Sequence, residues 1–120
     1  MIKFAVGGQM NKKEIKQYLE QNGGGDVECA IFTDVDAALK VKSGEYDYYV
    51  GACQSGAGGA LAMAYGILGR PKCVTLGMAG IAPKPEKVHD AFQRGCVAFG
   101  FTNDQVEAAC SLVLKEALHR

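Results

Sequence analysis

The sequence predicts an α/β fold: a single three-layer (αβα) domain over residues 1–120, with a five-stranded parallel sheet in the flavodoxin-like order 2-1-3-4-5. Three observations carry that expectation. Short apolar runs alternate with helix-period stretches from one end of the chain to the other. Those runs are apolar nearly throughout rather than at every second residue, as in strands covered on both faces. A length of 120 residues suffices for one hydrophobic core and is short for two ordinary domains. Right-handed crossovers leave few topologies, and this order reverses the direction of winding between the first and third strands.

Each element follows from local pattern. "IKFAV" (Ile2 to Val6) is a first strand, followed by "GGQM" and a helix opened by Asn11 with Glu14 three residues on, the capping-box spacing. Ile15, Tyr18 and Leu19 share one face of that helix, and Gly23 to Gly25 end it. "VECAIF" (Val27 to Phe32) is the second strand. Thr33 with Asp36 opens the second helix, which carries Ala37, Ala38 and Val41 and stops at Ser43-Gly44. "DYYVGA" is the third strand, with Tyr48 and Tyr49 on opposite faces, so at least one belongs to the core or an interface. The helix that begins near Gly58 is apolar on every face and needs cover on more than one side, either inside the fold or against another subunit. "KCVTLG" (Lys72 to Gly77) is the fourth strand, and Pro85 starts a helix through Val88, Ala91 and Phe92. "CVAFGF" (Cys96 to Phe101) is the fifth strand, after which Thr102 and Gln105 repeat the capping-box spacing and launch the last helix.

Composition excludes several classes of partner. Thirteen basic residues balance 13 acidic ones, which leaves no electrostatic footprint for nucleic acid or an anionic membrane surface. The uncharged run from Tyr48 to Gly69 approaches membrane-spanning length, but its glycines, with Gln54 and Ser55 in the middle, make it a strand, loop and helix rather than a membrane insertion. The first residues have too short an apolar run for a secretory leader, so a cytoplasmic location is expected. The five cysteines, Cys29, Cys53, Cys73, Cys96 and Cys110, are odd in number with no close pair. They read as free thiols, and neither a metal nor a cofactor is expected.

The loop after the third strand, "GACQSGAGG", carries the chemistry. A glycine-rich turn from strand to helix presents backbone N–H groups at the positive end of the helix dipole, a setting suited to phosphate or carboxylate. Gly56, Gly58 and Gly59 permit close approach and Ser55 adds a hydroxyl. The run matches neither the Walker pattern nor the dinucleotide fingerprint. The alternative is packing, in which the glycines only admit a tight turn. Cys53, facing the helix N-terminus, is placed to become a thiolate base or nucleophile, or is simply a small residue that fits. In the predicted order this loop and "GGQM" flank the crevice at the topological switch point. Lys84 and Lys87 border the same sheet edge; His89 and His119 read as solvated or terminal, and Asp34 and Asp36 as helix-start residues.

The stretch "AALKVKSGEYDYYVGACQSGAGGALAMA", with "VAFGF" before the last helix, resembles the YhfU-like family of small bacterial proteins, a likeness that spans nearly the whole chain and implies no reaction. The layout around Cys53 is also similar to the ribose-5-phosphate isomerase B group, where a cysteine base precedes a Gly-Thr-Gly-x-Gly anion hole. That resemblance implies Cys53 as base, Ser55 in the threonine's place, and Gly56 and Gly58 as the hole for an enediolate oxygen. This chain has "GGQM" where that group carries an Asp-His pair, and Gln54 where it has glycine. A third similarity is to IIB phosphocarrier domains, which place their cysteine after the first strand rather than the third.

The expected function is binding of a small anionic, phosphorylated metabolite between the loops at Gly7 to Met10 and Gly51 to Gly59. Gly7, Gly8, Gln9, Gly51, Gln54, Gly56, Ala57, Gly58 and Gly59 form the site, with Cys53 and Ser55 as candidate catalytic residues in sugar-phosphate isomerisation. The alternatives are a non-catalytic binding or regulatory subunit of a transport or metabolic complex, and a IIB-like cysteine phosphocarrier. The apolar helix points to a homo-oligomer.

Overall fold

A computed structural model describes residues 1–54 and 57–119, residues 57 and 58 by their backbone. The strands are β1 (Ile2–Gly8), β2 (Val27–Ile31), β3 (Tyr48–Cys53), β4 (Cys73–Gly77) and β5 (Ala98–Thr102). They alternate with helices α1 (Lys12–Gly23), α2 (Asp34–Lys42), α3 (Ala57–Leu68), α4 (Pro85–Gln93) and α5 (Val106–Leu118). All pairings are parallel, in a five-stranded sheet of order β2-β1-β3-β5-β4.

The α/β class and parallel sheet are as expected, and the position of the last two strands is corrected: β5, not β4, lies beside β3. Burial gives the reason. Every residue of β5 is buried, whereas β4 leaves Cys73 and Thr75 half-exposed, and the more completely covered strand takes the inner position. The chain passes from β3 through α3 to the edge strand β4 and returns through α4 to β5. The switch point between β1 and β3 is untouched by this exchange, so the loops expected to form the crevice remain neighbours.

Alternation along the strands divides the core in two. Phe4, Val6, Val50, Phe99 and Phe101 face one layer, where Ile15 and Leu19 of α1, Val88 and Phe92 of α4, and Val113 of α5 cover them. The Phe92 and Phe99 rings stack there at 4.9 Å. Ala5, Tyr49 and Ala98 face the other layer, covered by Ala37, Ala38 and Val41 of α2 and Leu61 and Ala64 of α3. On that second face Gly7, Gly51 and Gly100 lie side by side in register across three adjacent strands. A Cβ on Gly7 would lie 2.6 Å from the Tyr49 ring, and one on Gly100 2.6 Å from Leu61 Cγ. The glycine row is thus a trough that receives Tyr49 and Leu61.

The caps differ in part from their sequence pattern. Thr33 caps α2, its hydroxyl accepting from the Asp36 N–H at 3.2 Å. Asn11 has φ 57 and caps nothing; in that left-handed conformation its amide donates instead to Glu14 Oε2 at 2.6 Å. Thr102 ends β5 and its hydroxyl donates to Asp104 Oδ1 at 2.5 Å, the nearby carboxylate outcompeting a backbone cap. A 3-10 turn at Asn103–Gln105 therefore intervenes before α5. Among the described residues no helix is long and apolar enough to cross a membrane, and the five cysteines form no disulfide.

Candidate functional site

The C-terminal ends of β1 and β3 are tied together closely. The N–H groups of Gln9 and Met10 both donate to the Ala52 carbonyl, at 2.8 and 3.1 Å, folding the loop after β1 across the end of β3. Gly8 makes this possible. Its φ is +78, and a Cβ there would lie 2.6 Å from the Ala52 nitrogen. Tyr49, fully buried on the small-residue face, accepts from the Gly8 N–H at 2.9 Å and donates to the Ala60 carbonyl at 2.6 Å. One phenol thereby links the end of β1 to the first turns of α3. Burial, with the nearby Asp34 charge adding to it, holds its pKa far above that of an ordinary tyrosine, so it stays a neutral donor.

Cys53 is the last residue of β3, 2% exposed, in register with Thr102 of β5. A Cβ built on Gly59 would lie 3.6 Å from Cys53 Cβ and 3.6 and 3.7 Å from the two polar atoms of the Gln9 amide. Gln9, Cys53 and the opening of α3 therefore meet around one point. The N-terminus of α3 is at this edge, with its N–H groups and dipole favouring an anion. Gln54 follows Cys53 and is exposed. Ser55 and Gly56 lie outside the described residues, and Ala57 and Gly58 are the first two residues of α3. Gly7 and Gly51 lie one layer deeper, Gly7 beneath the Tyr49 ring and Gly51 against the Gly8 backbone.

Three polar groups at this edge carried no functional assignment from sequence. Asp34, the first residue of α2, has a buried Oδ1 with no hydrogen-bond partner. Burial pushes its carboxyl pKa up, against the opposing pull of the Lys12 ammonium and the Gly8 N–H. Lys12 Nζ donates to the Phe32 carbonyl at 2.8 Å, joining the loops after β1 and β2. Asp104 joins the other side of the edge: it accepts from the Thr102 hydroxyl and from the Gly80 N–H at 2.9 Å, and these bonds hold its carboxyl below the usual range. Lys84 and Lys87 are exposed at the start of α4. The signal for Asp34 was its position at the start of the helix that follows a strand pairing with β1. Its burial emerges only when the two loops are folded together.

Among the described residues no three His, Cys, Asp or Glu side chains gather to hold a metal ion. A hollow of about 550 Å³ opens at the opposite edge of the sheet, between Ile2, Asp26, Asp47, Tyr48 and Leu118. It lies at the amino ends of the strands, away from the helix N-termini that favour anions in this class of sheet.

A family model described as "Protein of unknown function DUF2620" matches residues 2–117. The uncharacterized protein YhfU of Escherichia coli strain K12 is 40% identical over 114 residues, covering 95% of this chain and 97% of that protein. YhfU of Shigella flexneri matches to the same extent, 40% over 114 residues. Among solved structures, ribose-5-phosphate isomerase B from Giardia lamblia aligns with a TM-score of 0.72 at 15% identity, covering 98% of this chain and 94% of that one. The type B ribose 5-phosphate isomerase of Trypanosoma brucei aligns with a TM-score of 0.74 at 14% identity, covering 98% and 85%. At these identities the structural likeness shows a shared fold.

Proposed function

We propose that this chain, which belongs to the DUF2620 family, binds a small phosphorylated metabolite of the sugar-phosphate class in the crevice between the loops after β1 and β3. The convergence of Gln9, Cys53 and Gly59 at the N-terminus of α3 carries this reading, because it sets a thiol and an amide beside the positive end of a helix. Gly7, Gly8 and Gly51 supply the tight backbone beneath the ligand, Gln54, Ala57 and Gly58 follow at the edge, and Gly56, outside the described residues, is proposed as a further contact. The shared fold with ribose-5-phosphate isomerases supports the choice of ligand class. It also supports a reaction. Cys53, as the base, takes the proton from the carbon next to the sugar carbonyl and returns it to the former carbonyl carbon, a hydroxyl proton passing between the two oxygens, while Ser55 and backbone N–H groups hold the enediolate oxygen.

The Cys53→Ser variant separates the readings. Sugar-phosphate affinity survives while isomerase turnover falls at least 100-fold if Cys53 is the base. Wild-type protein that binds but shows no turnover is a binding module, and phosphoryl transfer onto Cys53 from a phosphoprotein donor would identify a carrier. A panel of sugar phosphates that gives no thermal shift refutes the crevice reading.

A second copy of the chain is proposed to cover the outer face of α2 and α3. Val35, Leu39 and Met63 are 42%, 47% and 45% exposed there, and α3 carries no charged residue, so its partner must be equally uncharged. Sedimentation equilibrium of wild type and Met63→Lys tests this: the wild type sediments as an oligomer and the variant as a monomer. A monomeric wild type contradicts it.

A further inference from the structure

We infer that Gln9 is a catalytic residue of the crevice: its side-chain amide donates to the sugar oxygen on which negative charge develops, so that the site prefers a ligand with a charged oxygen at its reacting end over a neutral polyol phosphate. The inference rests on the crevice reading above and adds to it a donor from the loop after β1.

The backbone of Gln9 is fixed. Its N–H and that of Met10 share the Ala52 carbonyl at 2.8 and 3.1 Å, and the N–H of the preceding Gly8 is held by the Tyr49 hydroxyl. The side chain, by contrast, is open to a ligand. Gln9 is exposed, and among the described residues its amide has no hydrogen-bond partner. That amide nevertheless lies against the site: a Cβ built on Gly59 would be 3.6 and 3.7 Å from its two polar atoms and 3.6 Å from Cys53 Cβ. Cys53 shares the strand face of Tyr49 and Gly51, the face that α3 covers. The amide and the cysteine therefore border one carbon-sized space at the opening of α3, and they reach it from the ends of two adjacent strands.

A primary amide carries two N–H donors and no charge. Its two polar atoms are nearly equidistant from that space, so a donor faces it whichever way the amide plane is turned. When Cys53 removes the proton from carbon, the C–H electron pair moves into the adjacent carbon–carbon bond and the carbonyl pair moves onto its oxygen. An N–H aimed at that oxygen strengthens as the charge grows, and so favours the transition state over the bound sugar. No proton leaves the amide. A carboxylate in the same position would oppose the developing charge.

Calorimetric titration of wild type, Gln9→Leu and Gln9→Glu tests this with two probes. Erythronate 4-phosphate carries a carboxylate where the enediolate charge forms, and ribitol 5-phosphate is neutral along its carbon chain. Gln9→Leu is expected to weaken erythronate 4-phosphate about tenfold or more, the scale of one hydrogen bond to a charged group, and ribitol 5-phosphate about threefold or less. Gln9→Glu, which sets a second carboxylate against the first, is expected to weaken erythronate 4-phosphate further still. Equal losses for the two probes, or no loss for either, would overturn the role of Gln9 and leave the crevice reading standing. Wild-type protein that binds neither probe overturns the crevice reading and this inference with it. Should Gln9→Leu fold poorly, Gln9→Glu, polar and of the same shape as glutamine, carries the same comparison.

Discussion

On the face covered by α1, α4 and α5 the sheet presents Phe4, Val6, Val50, Phe99 and Phe101. The same strands present Ala5, Gly7, Tyr49, Gly51, Ala98 and Gly100 to α2 and α3. The first set buries large side chains and supplies most of the hydrophobic stabilisation, at roughly 25 cal/mol per Å² of apolar surface. The second set gives up that area, and in exchange brings α3 close enough for one tyrosine hydroxyl to join β1 to its first turns. Cys53, Gln9 and Asp34 all belong to the edge that this close approach creates. Stability and candidate chemistry are thus divided between the two sides of one sheet.

Substitutions on the large-residue face should have the largest effect on stability. Phe99→Ala removes a fully buried ring stacked on Phe92 and is expected to cost about 3–5 kcal/mol in urea unfolding; a loss below about 1 kcal/mol would show that this layer is not the main core. On the small-residue face the penalty comes from added volume. Gly100→Val drives a side chain into Leu61 and is expected to cost about 1–3 kcal/mol. Pairing it with Leu61→Ala should give a non-additive double-mutant cycle, and strict additivity would mean that the two side chains do not meet. Tyr49→Phe keeps the ring and removes the hydroxyl, leaving the Gly8 N–H and the Ala60 carbonyl without that partner. About 1–3 kcal/mol is expected, together with faster hydrogen exchange at the Gly8 amide; unchanged exchange would show that the phenol does not hold the edge.

The smallest effect is one of pH, and here two carboxylates of the same edge differ in sign. Asp104 has its pKa lowered from 3.8, chiefly by the Thr102 hydroxyl. Its contribution is present above pH 3.8 and is lost as pH falls through the lower native value. Asp34 has its pKa raised from 3.8 by burial, so the native state holds its proton longer and stability declines as pH rises from 3.8 through the native value. Asp104→Asn should therefore flatten the acid limb of the stability curve, and Asp34→Asn should remove a decline just above it. Identical curves for the two variants would contradict the opposite environments.

Much of the fold was legible in the sequence, and the unread part has a common cause. The alternation of strands and helices and the apolar α3 are local patterns, and each matches the structure within a residue or two. The placement of β5 inside the sheet depends on which strand is covered more fully, and neither "KCVTLG" nor "CVAFGF" displays that alone. Gly7, Gly51 and Gly100 are far apart in sequence and become a trough only when three strands come into register. Thr102 matched a capping pattern, yet Asp104 two residues on took its hydroxyl. Asp34 looked like any helix-start acid, because the burial of its Oδ1 depends on folding the loops after β1 and β2 against each other.

The most direct test of the crevice is Gly59→Ala, measured as thermal unfolding with and without the sugar phosphate that shifts the wild type most. A Cβ at residue 59 meets Cys53 and Gln9 at ordinary contact distance, and alanine is the better helix former by up to about 1 kcal/mol. The unliganded variant should therefore melt at or above the wild-type temperature. It should also lose most of the ligand-induced rise, because the added methyl occupies the point where Gln9, Cys53 and α3 converge. A variant that melts higher and keeps the full rise would contradict the placement of the ligand, and the glycine would then be explained by packing alone.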